Sequence, residues 1–113
     1  MAYYTTTIFI ETPFFTRQIV ALMADKQYHL FQQELSQNPH AGDLIPGGGG
    51  IRKIRVALPG IGKRGGARII YYWQTALDRI FLLTIYTKAK QTNLDQEQAA
   101  AFKALVKEIE RHG

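Results

Sequence analysis

The sequence predicts an α+β fold, and three observations carry that reading. Apolar residues recur at helical spacing in residues 13–37 and again after Asp95. Three runs rich in β-branched and aromatic residues, 51–58, 67–73 and 80–88, read as strands. Glycine-rich links, 47–50 and 59–66, precede the first and the second of those runs. At 113 residues the chain is expected to form one domain, residues 1–113.

The elements follow in order. Residues 4–11 are Thr-rich and β-branched and end in Ile8-Phe9-Ile10, a strand pattern. Thr12-Pro13 marks a helix start, with Thr12 as N-cap and Pro13 in the first helical position. Phe15, Ile19, Leu22 and Met23 give that helix an apolar stripe. Asp25 is placed as the N-cap of a second helix bearing Tyr28, Phe31 and Leu35 on one side. It ends before Asn38-Pro39, because proline disfavours helical geometry in the residue ahead of it. The pair reads as a helical hairpin packed on a sheet.

Residues 39–50 read as a loop by composition. In the first late strand Ile54, Val56 and Leu58 share one face and Lys53 and Arg55 the other, since side chains alternate. In the second, Arg68, Ile70 and Tyr72 share a face. In the third, Leu82, Thr84, Tyr86 and Lys88 alternate with Phe81, Leu83, Ile85 and Thr87. Residues 75–78 join the last two strands as a hairpin. Asp95 and Gln98 have capping-box spacing, and Phe102, Leu105, Val106 and Ile109 repeat as one face of a final helix.

Formal net charge is +5, and its distribution matters more than its sum. Six of the 14 Lys and Arg residues fall between Arg52 and Arg68, and no Asp or Glu lies between Asp43 and Asp78. A solvated surface explains a basic surplus, and so does a polyanionic partner such as nucleic acid. With no cysteine, disulfides, thiolate metal sites and cysteine nucleophiles are excluded. No signal peptide is evident, and no apolar run approaches the roughly 20 residues of a membrane span. A soluble cytoplasmic protein without membrane association is expected.

Gly60 to Gly65 matches G-x-G-x-x-G, but a strand follows it and no acid stands about 20 residues on, so it is no dinucleotide fingerprint. Lys63 is followed by Arg64 rather than Ser or Thr, and Ala57 stands where a P-loop needs its first glycine. A plain strand-to-strand loop and a basic loop touching phosphates remain the two readings. His29, His40 and His112 lack metal-ligand spacing, and no metal or other cofactor is expected. Clustered carboxylates for two-metal chemistry are missing where the cations gather. Lys53, Arg55, Arg68, Tyr86 and Lys88 form the constellation that adjacent strands, about 4.8 Å apart, could bring to one phosphate. Arg52, Lys63, Arg64 and Lys90 would flank it as further phosphate contacts.

Four stretches carry a resemblance: Asn38 to Gly47, Gly50 to Arg55, Gly62 to Trp73, and Leu83 to Lys88 with Leu94. In order and spacing they resemble the RelE/HigB superfamily of bacterial toxin–antitoxin toxins, nearest the HigB-type branch. The resemblance implies a microbial-RNase-like fold, with an N-terminal helical hairpin on one face of a mostly antiparallel sheet, a C-terminal helix, and an active site on the opposite, concave face. It implies metal-free endoribonuclease cleavage of mRNA in the ribosomal decoding site. It implies a toxin, monomeric when free and neutralised by a cognate antitoxin, usually one with a helix-turn-helix domain.

The resemblance places Lys53 and Arg55 at the family's basic strand positions, Arg68 at its phosphate-contacting arginine, and Tyr86 and Lys88 near its C-terminal catalytic segment. The best-known members carry a Lys-Arg pair after the last strand and a tyrosine in the final helix. Here Lys88-Ala89-Lys90 holds no arginine, and the helix holds no tyrosine. In such a reaction the ribose 2′-OH attacks the adjacent phosphate, which calls for a base, cations and an acid. Tyr86 or Lys53, with a pKa lowered by neighbouring cations, suits the base. Arg55 and Arg68 suit charge stabilisation, and Lys88 the acid.

Overall fold

A computed structural model describes residues 6–60 and 66–112. Its elements are β1 (Ile8–Glu11), α1 (Pro13–Leu22), α2 (Asp25–Gln37), β2 (Asp43–Leu44), β3 (Arg52–Leu58), β4 (Gly66–Gln74), β5 (Arg79–Thr87) and α3 (Gln96–His112). Thr12 caps α1 as its position predicts: its Oγ1 accepts the Phe15 N–H at 3.0 Å, and Pro13 follows at the first helical position. The same hydroxyl donates to the Leu83 carbonyl at 2.8 Å, which ties the start of the helix to β5. Ala24, not Asp25, sits at the N-cap of α2, without a side-chain cap. Asp25 is instead the first helical residue, where its charge favours the helix dipole. The start of the predicted first strand, residues 4 and 5, lies outside the described residues.

The sheet order among the described residues is β1-β5-β4-β3-β2. β1 runs parallel to β5, and the other pairings are antiparallel. β2 lies inside the predicted loop: Asp43 and Leu44 pair with Lys53 and Arg52. Two residues are too few to show alternation, so no sequence pattern marked them. β1 stops opposite Leu82, and Gln18 of α1 continues the edge, its Oε1 accepting from Ile85 N–H (3.3 Å) and Thr84 Oγ1 (3.1 Å). The 75–78 turn closes the β4–β5 hairpin, with Asp78 at φ 49° and its Oδ1 accepting from Trp73 Nε1 at 3.0 Å.

The sheet is covered on both faces. On one, Phe15, Ile19, Met23, Phe31 and Leu35 of the α1–α2 hairpin meet Val56, Leu58, Ala67, Ile69, Tyr71, Ile80, Leu82 and Ile85. On the other, Val106 of α3 packs with Ile51, Ile70, Leu83 and Tyr86, flanked by Leu94 and Phe102. A fully buried aliphatic or aromatic side chain contributes about 1.5–3 kcal/mol. The hairpin contributes several such side chains and α3 only Val106, so α3 is the more weakly held cover.

The alternation predicted for the last strand breaks at a bulge. Ile70 pairs with Thr84 but Tyr71 with Leu82, which leaves Leu83 as an extra residue on β5. Leu82 and Ile85 therefore fall in one core, Leu83 and Tyr86 in the other. Every residue around the bulge is apolar or tolerates burial, so the hydrophobic pattern holds no trace of the shift.

Candidate active site

Strand register builds the site. Arg55 of β3 stands opposite Arg68 of β4, and Arg68 stands opposite Tyr86 of β5. The three side chains form one row across the middle of the sheet. Lys53, two residues before Arg55 and opposite Ile70, lies on the same face in the next row. This is the face that α3 partly covers. Like charges directly opposite on neighbouring strands are destabilising, and an anion between Arg55 and Arg68 would offset the repulsion.

Depth grades the row. Arg55 is exposed, Lys53 half-buried, Arg68 only 5% exposed and Tyr86 8% exposed. Arg68 Nη1 donates to the Ala67 carbonyl at 3.2 Å. The Tyr86 hydroxyl is buried and has no hydrogen-bond partner among the described residues. Burial pushes its pKa above the ordinary tyrosine value, and the neighbouring Arg68 charge opposes the shift without reversing it. The sequence suggested a lowered Tyr86 pKa. Desolvation outweighs the cation here, so the phenol gives up its proton less readily than a free tyrosine and does not suit the base.

Other expected members fall elsewhere. Lys88 and Lys90 are exposed in the turn after β5, where the Lys88 N–H extends the ladder to the Gly66 carbonyl (3.0 Å). Lys63 and Arg64, with most of the G-x-G-x-x-G motif, lie outside the described residues. Arg52 departs from the row. It stands opposite Tyr71, one residue out of phase with Lys53, and its Nη1 donates to the carbonyls of Gly42 (2.8 Å) and His40 (3.3 Å). Its Nη2 lies 3.2 Å from His40 Nδ1. Arg52 thus fastens the loop after α2. Tyr71 helps: its hydroxyl accepts from Gly42 N–H (2.9 Å) and donates to Pro39 O (2.6 Å).

Asn93 is the neighbour that sequence reasoning missed. Its Oδ1 accepts from Lys53 Nζ at 2.9 Å, across 40 residues of sequence. Nothing in a polar turn such as Gln91-Thr92-Asn93 signals that contact. Among the described residues no group of three or more His, Asp or Glu side chains is arranged to hold a metal ion. A groove of about 810 Å³ lies between α2 and β3, lined by Met23, Phe31, Leu35 and Val56 together with Glu34, Asp43, Lys53 and Arg55. Its polar lining sets two carboxylates against two cations, so it carries no net charge of its own to draw an anion. Charge and register, rather than depth, mark the Lys53–Arg55–Arg68–Tyr86 face.

The fold has solved counterparts. The free E. coli toxin RelE, in a double-mutant form, superposes with a TM-score of 0.55 at 12% identity, covering 78% of this chain and 90% of that one. The isolated E. coli RelE toxin gives 0.52 at 14% identity, covering 88% and 99%. A chain of the intact E. coli RelBE toxin–antitoxin complex gives 0.50 at 15% identity, covering 71% and 94%. A family model described as the RelE toxin of the RelE/RelB toxin–antitoxin system matches residues 8–112, and the chain belongs to that family.

Proposed function

We propose that this chain is a ribosome-dependent mRNA endoribonuclease, the toxin of a toxin–antitoxin pair, whose reaction needs no metal. The observation that carries the reading is the cross-strand row Arg55–Arg68–Tyr86, with Lys53 beside it, in a RelE-family chain. Among the described residues the row supplies cations and a proton donor on one face, the set that phosphoryl-transfer chemistry without a metal ion calls for.

The reaction follows from the residues. The 2′-OH attacks the adjacent phosphate, the P–O5′ bond breaks, and the products are a 2′,3′-cyclic phosphate and a 5′-OH. Arg55 and Arg68 hold the non-bridging oxygens in forked contacts as charge builds on them. Tyr86, a phenol that is protonated at neutral pH, donates to the leaving 5′-oxygen. The base falls to a lysine, Lys53 beside the row or Lys88 in the exposed turn after β5, and single alanine variants separate the two. Lys63, Arg64 and Lys90 add backbone phosphate contacts around the row. A His or carboxylate acid–base pair is missing from it, so orientation of the mRNA by the ribosome carries much of the rate. Free RNA is then a poor substrate.

The partner is a cognate antitoxin, with a helix-turn-helix domain if the chain belongs to the HigB-type branch. Its site of action is the bacterial cytoplasm, and the free toxin is a monomer of one domain. The test is induction in a bacterial host alongside cleavage of ribosome-bound mRNA by purified protein in chelator. Growth and translation arrest with cleavage support the reading. RNA binding without arrest points to a basic binding module, and neither to an inactive toxin homologue.

A further inference from the structure

We infer that Asn93 is a positioning residue for Lys53, an inference that rests on the ribonuclease reading above. Lysine has a long flexible stem, and its ammonium is a point charge with no directional preference. A lysine that must meet one phosphate gains from being held beforehand. Asn93 Oδ1, 2.9 Å from Lys53 Nζ, provides that hold. Lysine nitrogen only donates, so it is the amide oxygen that must face it. One N–H is thereby committed and the others remain for substrate.

Asn93 is itself fastened. Gln91 Nε2 donates to the Asn93 carbonyl (2.8 Å) and to Gln98 Oε1 (2.6 Å). Gln98 forms a reciprocal cap with Asp95: its N–H donates to Asp95 Oδ1 (2.7 Å), and its Oε1 accepts the Asp95 N–H (3.2 Å). The start of α3 therefore sets where Asn93 stands, and Asn93 sets where the Lys53 nitrogen stands.

The choice of an amide matters chemically. A carboxylate in its place would hold the nitrogen as well but would cancel its charge and keep it protonated. The nearest acid in the sequence, Asp95, is committed to the Gln98 N–H. Asn93 thus restrains Lys53 without setting a negative charge beside it.

The test compares wild type, Asn93→Ala, Asn93→Asp, Lys53→Ala and Asn93→Ala/Lys53→Ala in cleavage of ribosome-bound mRNA, with thermal melting of each. Asn93→Ala should lower kcat/KM about tenfold, the low end for one hydrogen bond to a charged group, with the melting temperature unchanged. Asn93→Asp should lower it further, and Asn93→Ala should add nothing in the Lys53→Ala background. A merely structural role predicts the opposite: a tolerated aspartate and the same loss in both backgrounds. Either result overturns the inference, as does full activity of Asn93→Ala. If wild type and Lys53→Ala are equally inactive, the ribonuclease reading fails by itself. NMR relaxation of the Lys53 Cε–Hε signal then decides about Asn93, since Asn93→Ala must loosen it and an unchanged signal rejects the contact.

Discussion

Tyr86→Phe should raise stability and lower activity at once. The hydroxyl is buried, in a residue 8% exposed, with no hydrogen-bond partner among the described residues. An unsatisfied buried polar group costs about 1–3 kcal/mol, and phenylalanine fills the same space without it. The ring stays packed against Ile70, Leu83 and Val106 in either form. Taking the lower end, because the free protein can relax around the hydroxyl, the variant should gain about 1 kcal/mol. For a chain of this size that is about 3–6 °C in Tm. If the hydroxyl donates to the leaving oxygen, the same change should slow cleavage by about a hundredfold. Thermal melting and single-turnover cleavage of ribosome-bound mRNA, on the same preparations, read both effects. A drop in Tm of several degrees would mean that the hydroxyl has a partner. Undiminished cleavage would remove Tyr86 from the chemistry.

Three further outcomes are expected. Arg68→Lys should lose most cleavage activity while melting close to wild type, because an ammonium cannot reproduce the forked phosphate contact; Arg68→Ala, at a site 5% exposed, should lose activity and also soften packing. Full cleavage by the lysine variant would show that the fork is not used. Gly42→Ala should destabilise by about 1–3 kcal/mol in a urea titration, since its Cβ would stand 2.8 Å from Tyr71 Cε1 and 3.0 Å from the Lys53 carbonyl, and a wild-type midpoint would contradict this contact. Stability should fall as pH rises above about 10, the unfolded tyrosine value. Tyr72, through burial and its hydrogen bond to Glu110, is pushed up to about 12, and burial also raises Tyr28, Tyr71 and Tyr86. The native state then binds more protons than the unfolded chain, so the linkage slope is negative. Urea midpoints from pH 8 to 11.5 that stay level would refute the shifts, and Tyr72→Phe should flatten the decline.

Much of the fold could be read locally. Thr12-Pro13, Asn38-Pro39 and Asp95 with Gln98 mark helix ends through bonds made within a few residues, so the chain alone specifies them. The two faces of β3 follow from strict alternation, and the RelE-like order of motifs named the family. Other features depend on partners distant in sequence. Arg52 and Lys53 are neighbours in the chain, yet pleating sends one to the loop at His40 and Gly42 and the other to the basic face. The bulge that redirects Leu83 sits among residues interchangeable in hydropathy, so only pairing with Ile70 and Tyr71 reveals it. Asn93 meets Lys53 only because α3 returns across the sheet. Tyr86 gives the plainest contrast. Sequence set it beside cations, which argued for a lowered pKa. Packing under α3 removed its water, and desolvation, a property of the folded interior, decided the direction of the shift.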